Sequence, residues 1–165
     1  MQPPTCINIR IRSVADAHVV FYAVQCGVLP IVTRRLDNEE RRAIRSGSVY
    51  VWEERGADSE ATGLGIERWT DGIRWGPSRV RDEFLFYHEK EIEYEFDALA
   101  PPYRLVKQTY SVFLDTDRGR RKWHLIAYFT QESLDTLDAV DAVPHLAALH
   151  VPPRSFSSAR AVKGR

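Results

Sequence analysis

Between Gly65 and Arg81 the chain reads Gly-Ile-Glu-Arg-Trp-Thr-Asp-Gly-Ile-Arg-Trp-Gly-Pro-Ser-Arg-Val-Arg, so that Arg68, Arg74, Arg79 and Arg81 are interleaved with the indoles of Trp69 and Trp75. A guanidinium grips phosphates and guanine edges through paired N–H donors, and it is favoured in a narrow minor groove, where the negative potential is deepest. Thr70 and Ser78 add short hydroxyls that suit phosphate oxygens. Gly72 and Gly76 let the backbone approach another surface, and Asp71 fits as a turn residue or as a carboxylate that orients an arginine. Trp69 and Trp75 read as anchors of a rigid loop, which leaves recognition to the arginines. Arg74, between the two glycines and beside Trp75, is the leading candidate for insertion into a groove, with Arg68 and Arg79 on phosphates or groove walls.

Other chemistry finds little support. His18, His88, His124, His145 and His150 have no His-x-x-x-His or Cys-x-x-Cys partner, so no zinc-ligand spacing exists. Phosphate-cradling glycine motifs and the nucleophile elbow are absent. Glu89, Glu91, Glu93 and Glu95 form a like-charged row, the pattern of a solvated strand face rather than of an acid/base pair. The expectation is a protein that is not an enzyme, with no metal, no cofactor and no small-molecule substrate.

The 23 basic and 23 acidic residues cancel, which argues against an indiscriminate polyanion binder. They are segregated, however. Seven acids face one lysine from Asp82 to Asp97, four arginines face two acids from Gly65 to Arg81, and six basic residues face two acids from Arg104 to Lys122. A length of 165 residues with 44% hydrophobic content suits one compact domain that needs no staple. Cys6 and Cys26 therefore read as small buried hydrophobes in a reducing compartment, and neither a signal peptide nor a membrane span is expected.

The elements that must carry the loop follow from periodicity. Thr5–Arg12 alternates as a strand, and Ser13 caps a helix over Val14–Cys26 that Gly27 ends. Asp37 and Glu40 have capping-box spacing for a short helix over Asn38–Arg45. Ser48–Glu53 and Phe84–His88 read as strands, with Val49 and Val51 on one face and Tyr50 and Trp52 on the other. The glycine-rich stretch between them is a long loop holding one short strand near Ile66–Trp69. Arg104–Leu114 and Lys122–Phe129 form a β-hairpin, Thr130 opens a short helix to Leu137, and the Pro-, Ser- and Arg-rich chain after residue 150 reads as a disordered basic tail. The fold class is α+β, one domain with antiparallel strands and a few short helices.

On residue chemistry alone three readings remain: a duplex DNA binder, a single-strand or RNA binder that stacks bases on Tyr50 and Trp52, and a protein-interaction module with tryptophan anchors. A resemblance separates them. The runs Val32–Leu36, Arg45–Val51 and Gly65–Gly72, followed by Arg74-Trp75 and Pro77-Ser78-Arg79, resemble the first block of the fungal WOPR domain, the Gti1/Pac2 family of transcriptional regulators. Leu105–Val112 and His124–Phe129 resemble its second block, so the likeness covers nearly the whole chain.

That resemblance implies a nuclear, sequence-specific DNA-binding domain built from two intertwined blocks, about 5–90 and about 104–150, with a loop in the minor groove of an A·T-rich site. Its implied partners are double-stranded DNA and other transcription factors, with no membrane. Position by position it implies Arg68, Thr70, Asp71, Arg74, Trp75, Ser78, Arg79 and Lys107 as the DNA-binding set. Three residues depart from the family pattern: Glu67 and Gln108 stand where lysines are usual, and Gly76 where a serine is.

Overall fold

The computed structural model describes residues 1–56, 65–90 and 104–160. Residues 57–64, residues 91–103 with Glu91, Glu93 and Glu95, and the last five residues lie outside them. A hairpin dominates the architecture. Strands β5 (Leu105–Thr116) and β6 (Gly119–Thr130) pair antiparallel along their whole length, turning at Asp117-Arg118 with Gly119 at φ 102°. Strand β2 (Val49–Glu53) pairs with β6, β4 (Phe84–His88) with β5, and β3 (Arg79–Arg81) with β4, all antiparallel, in the order β2-β6-β5-β4-β3. The hairpin of the second block thus lies between strands of the first, and neither block can complete a sheet by itself.

Each face of the sheet has its own core. Helix α1 (Val14–Gln25), with Ser13 accepting from the Asp16 N–H, lays Ala17, Val20 and Phe21 on the Tyr110, Val112, Trp123 and Leu125 side. The opposite face collects Tyr50, Trp52, Ile126 and Tyr128 under Val32, Leu36, Ile44 and Ile66. Tyr50 and Trp52 do face away from Val49 and Val51, yet both faces of β2 are buried. Helix α2 (Asn38–Arg42) has its full capping box at Asp37 and Glu40, and Arg34 adds paired hydrogen bonds to Glu40 at 2.7 and 2.8 Å. Those contacts hold the Glu40 carboxyl down to about 2, the Arg34 hydrogen bonds being the largest cause.

Several expectations require correction. The strand over Thr5–Arg12 shrinks to β1 (Ile9–Arg10), because Asn8 turns left-handed at φ 58° and leaves Ile7 exposed. That kink meets Gly47, whose own φ is 95° and where a Cβ would fall 2.8 Å from the Asn8 Cα. β1 pairs parallel with β7 (Asp138–Ala139), outside the main sheet. α2 stops at Arg42, three residues short, as Ile44 turns into the core. No strand runs over Ile66–Trp69; a single bridge joins Ile66 to Glu54. The helix expected from Thr130 is one 3-10 turn over Leu134–Thr136, since the Ser46, Thr130 and Ser133 hydroxyls bond one another and nearby backbone. A further helix, α3 (Pro144–Ala147), was not foreseen. The segment read as a disordered tail is ordered through Arg160: Phe156 packs on Phe21 with ring centroids 5.6 Å apart, and β8 (Ser157–Ser158) pairs with β5. Cys26 is exposed rather than buried, and both cysteines are free.

Candidate nucleic-acid interface

The loop from Gly65 to Gly76 lies across the β2–β6–β5 face, staked at both ends by backbone bonds. Ile66 N–H donates to the Glu53 carbonyl at 2.9 Å and Arg55 N–H to the Ile66 carbonyl at 3.0 Å. At the far end Gly76 N–H donates to His88 and Lys90 N–H to Arg74, each at 2.8 Å. Between the stakes Asp71, 7% exposed, gathers donors from the loop and the sheet. Its carboxylate accepts from Ile73 N–H at 3.0 Å, from Trp75 Nε1 at 3.1 Å and from the Tyr128 hydroxyl at 2.7 Å. The Tyr128 oxygen in turn accepts from Trp69 Nε1 at 2.7 Å. Trp69 lies against Tyr50 and Trp52, with ring centroids 5.1 and 6.1 Å away. Gly72, at φ 76°, makes the left-handed turn that brings the chain back toward Trp75.

Lys107 closes the arrangement from β5. Its Nζ stands 3.7 Å from Asp71 Oδ2 and 4.8 Å from the ring centroids of both Trp75 and Tyr87. Burial lowers the Lys107 pKa, against the pull of Asp71. Burial, followed by the Asp71 charge, raises that of Tyr128 well above the ordinary phenol range, which keeps its hydroxyl a donor.

The eight residues singled out in the sequence therefore separate by direction. Arg68, Arg74, Ser78 and Arg79 are exposed, and Thr70 is half-buried. Asp71, Trp75 and Lys107 turn inward and hold the loop to the sheet. Among the described residues Asp71 bonds Ile73, Trp75 and Tyr128 rather than an arginine, and so closes the loop. Both tryptophans are anchors, as expected. Glu67 pairs across solvent with Arg55 at 3.6 Å, not with Arg68 or Arg74. Gln108 points to the opposite face, where its Nε2 donates to the Ile11 carbonyl at 3.1 Å. At Gly76 a Cβ would sit 3.4 Å from the His88 carbonyl oxygen, so the space there is sufficient for a serine. The base-stacking platform fails on geometry. Tyr50 and Trp52 are 2% and 5% exposed, and Trp69 together with His124, whose centroid is 4.2 Å from that of Trp52, covers them.

Sequence reading missed two participants. Tyr128 was visible as one more aromatic on an alternating strand, but nothing local marked it as the bridge between Trp69 and Asp71. Arg41 on α2 runs beside the loop turn, its Cδ 3.6 Å from where a Gly72 Cβ would be. Its signal was the Arg41-Arg42 pair that ends α2.

Comparison with known proteins decides the kinship. The profile of the Gti1/Pac2 family matches residues 8–100. The chain belongs to the Gti1/Pac2 family. Among its relatives, the cAMP-independent regulatory protein pac2 of Schizosaccharomyces pombe is 48% identical over 81 residues, which are 49% of this chain and 32% of that protein. The global transcription regulator sge1 of Gibberella moniliformis is 40% identical over 82 residues, 49% of this chain and 23% of that protein. The chain thus spans a third or less of the length of these two curated relatives. Among solved structures, the WOPR domain of Wor1 from Candida albicans, in complex with a 17 bp double-stranded DNA, superposes with a TM-score of 0.71 at 31% identity, covering 92% of this chain and 95% of that one. The α+β fold of antiparallel strands and short helices is thus that of the WOPR domains.

Proposed function

We propose that this chain is the sequence-specific DNA-binding domain of a nuclear transcription regulator and not an enzyme, and that its 65–81 loop enters the minor groove of an A·T-rich duplex. The observation that carries the reading is the division of labour within the loop. Asp71, Trp69, Trp75 and Tyr128 consume its inward polar groups, while Arg68, Arg74, Ser78 and Arg79 remain in solvent. A platform fixed before binding loses little conformational freedom when a guanidinium is placed in a groove. The family relatives that are transcription regulators, and the Wor1 domain in complex with DNA, support the same reading. Arg74 enters the groove; Arg68, Thr70, Ser78 and Arg79 take phosphates and groove walls, and Arg41 extends the positive surface from α2. Lys107 acts behind Trp75, positioning it rather than touching the duplex.

The test is binding of Arg74→Ala to a duplex site selected from a random pool. The expected loss is about 1–3 kcal/mol at the selected site, with a far smaller loss on random duplex and an unchanged melt. Arg74→Lys recovers only part, because an ammonium is more strongly hydrated and pairs less well in the groove. Parent-like binding by Arg74→Ala refutes the groove assignment.

A further inference from the structure

On the sheet face opposite the loop, a groove of about 530 Å³ opens between β1 and the β3–β4 edge. Phe86, Val106 and Phe129 contribute to its floor and Arg10, Arg12, Arg79 and Arg81 to its lining. The register sets Arg79 opposite Phe86 and Arg81 opposite Phe84, so both arginines share that face with the phenylalanines. Arg10 is paired with Asp135 at 3.7 Å, and Arg12 with Asp16 at 2.9 Å and Asp141 at 3.1 Å. Arg79 and Arg81, both exposed, have no carboxylate in ion-pair range among the described residues.

The second observation is the edge itself. β3 ends the sheet and is exposed throughout, with Val80 58% exposed. A two-residue turn at Asp82-Glu83 joins β3 to β4, so the closing pair Arg81 and Phe84 exchanges hydrogen bonds. Alternation then points the Val80 N–H and carbonyl outward, with no backbone partner among the described residues. The other end of the sheet is not open in this way, because bridges from Cys6 and Val32 cover β2.

We propose that this edge and groove form a docking site for an acidic, extended segment of a partner protein. The segment adds as a strand along β3, taking the outward main-chain groups of Val80. Its alternate apolar side chains enter the phenylalanine floor, and its carboxylates meet Arg79 and Arg81, which have no ion-pair partner among the described residues. A basic or neutral strand leaves both guanidiniums unpaired, and a nucleic acid presents no apolar side chains to the floor; charge and surface together select the acidic, amphipathic strand. The site shares Arg79 with the reading above but not Arg74, so Arg81→Glu and Arg74→Ala tell the two assignments apart.

The experiment is a fluorescence-anisotropy titration with a labelled synthetic peptide of roughly a dozen residues that alternates Glu with Phe and Leu, beside a counterpart carrying Lys for Glu. Saturable binding of the acidic peptide, weaker by about tenfold or more for the Lys counterpart, is expected. Arg81→Glu, and separately Val80→Pro, which removes the outward N–H, each weaken the acidic peptide by a similar factor while the melt stays at the parent value. Arg74→Ala leaves it unchanged, and amide shifts gather on β3 and β4. The proposal is overturned by absence of saturation, by equal binding of the two peptides, or by loss on Arg74→Ala with Arg81→Glu unaffected. It is likewise overturned if Arg81→Glu weakens only duplex DNA.

Discussion

Replacing Asp71 by alanine tests whether one buried carboxylate fixes the loop. The change strands three donors, the Ile73 N–H, Trp75 Nε1 and the Tyr128 hydroxyl, and leaves Lys107 without the charge 3.7 Å from its Nζ. Hydrogen bonds to a charged group are worth about 1.5–3 kcal/mol each, but the carboxylate also gives up the cost of its own burial. The net loss is therefore that of breaking a buried pair, about 3–5 kcal/mol. At roughly 2–4 °C per kcal/mol for a chain of this size, the melt falls by about 6–20 °C. Asp71→Asn keeps the shape and one acceptor, so it loses less. Urea titration gives the stability, and the emission of Trp69 and Trp75 shifts to longer wavelength as the loop lifts. Duplex affinity falls with it, although Asp71 is buried beneath the loop. A loss below about 1 kcal/mol with unchanged tryptophan emission refutes the claim that Asp71 anchors the loop.

Three further outcomes are expected. Glu67→Lys tightens duplex binding and steepens the salt dependence, while folding stability changes by less than about 1 kcal/mol because the pair with Arg55 is solvent-exposed; unchanged affinity at low salt shows that Glu67 faces away from the duplex. Gln108→Leu strands the Ile11 carbonyl, lowering stability by about 1–3 kcal/mol without changing duplex affinity, and weaker duplex binding in the folded variant sinks the placement on the far face. The Glu40 carboxyl, held at about 2, contributes stability that is complete above its unfolded value near roughly 4.3 and is lost as pH falls through the folded value. Urea midpoints of the parent and of Glu40→Gln should accordingly differ at pH near roughly 5 and converge on acidification; parity at the higher pH removes Glu40 from the account.

What was legible in the sequence was what short-range chemistry encodes. Ser13 and the Asp37/Glu40 box placed two helix starts, alternation placed β2, an aromatic run of high β-propensity placed β4, and the Asp117–Gly119 turn paired β5 with β6. Illegible features depended on partners distant in sequence. Asn8 reads as one polar residue of an alternating strand until Gly47 is beside it. The Pro- and Ser-rich C-terminal stretch looks unable to fold because its single aromatic anchor, Phe156, gains value only against Phe21 and His18. In the loop, residue types identified the arginines and tryptophans, but only the sheet beneath them distinguishes an arginine in solvent from a lysine turned inward. Lys107 and Asp71, eligible by charge, turn inward and meet each other beneath Trp75.

The placement of the hairpin has a consequence for synthesis. Since β6 lies between β2 and β5, Val49 meets Ala127 only after the chain has been made to the end of the second block. At translation rates of about 5–20 residues per second, the roughly 40 residues from His88 to Thr130 occupy about 2–8 s. Through that interval Tyr50 and Trp52 wait for β6, and Phe84 and Phe86 for β5, and chaperones have their opportunity there. A stop codon anywhere before Thr130 then yields a fragment fit for degradation rather than a half-active domain, and separately expressed blocks are expected to remain unfolded until they meet.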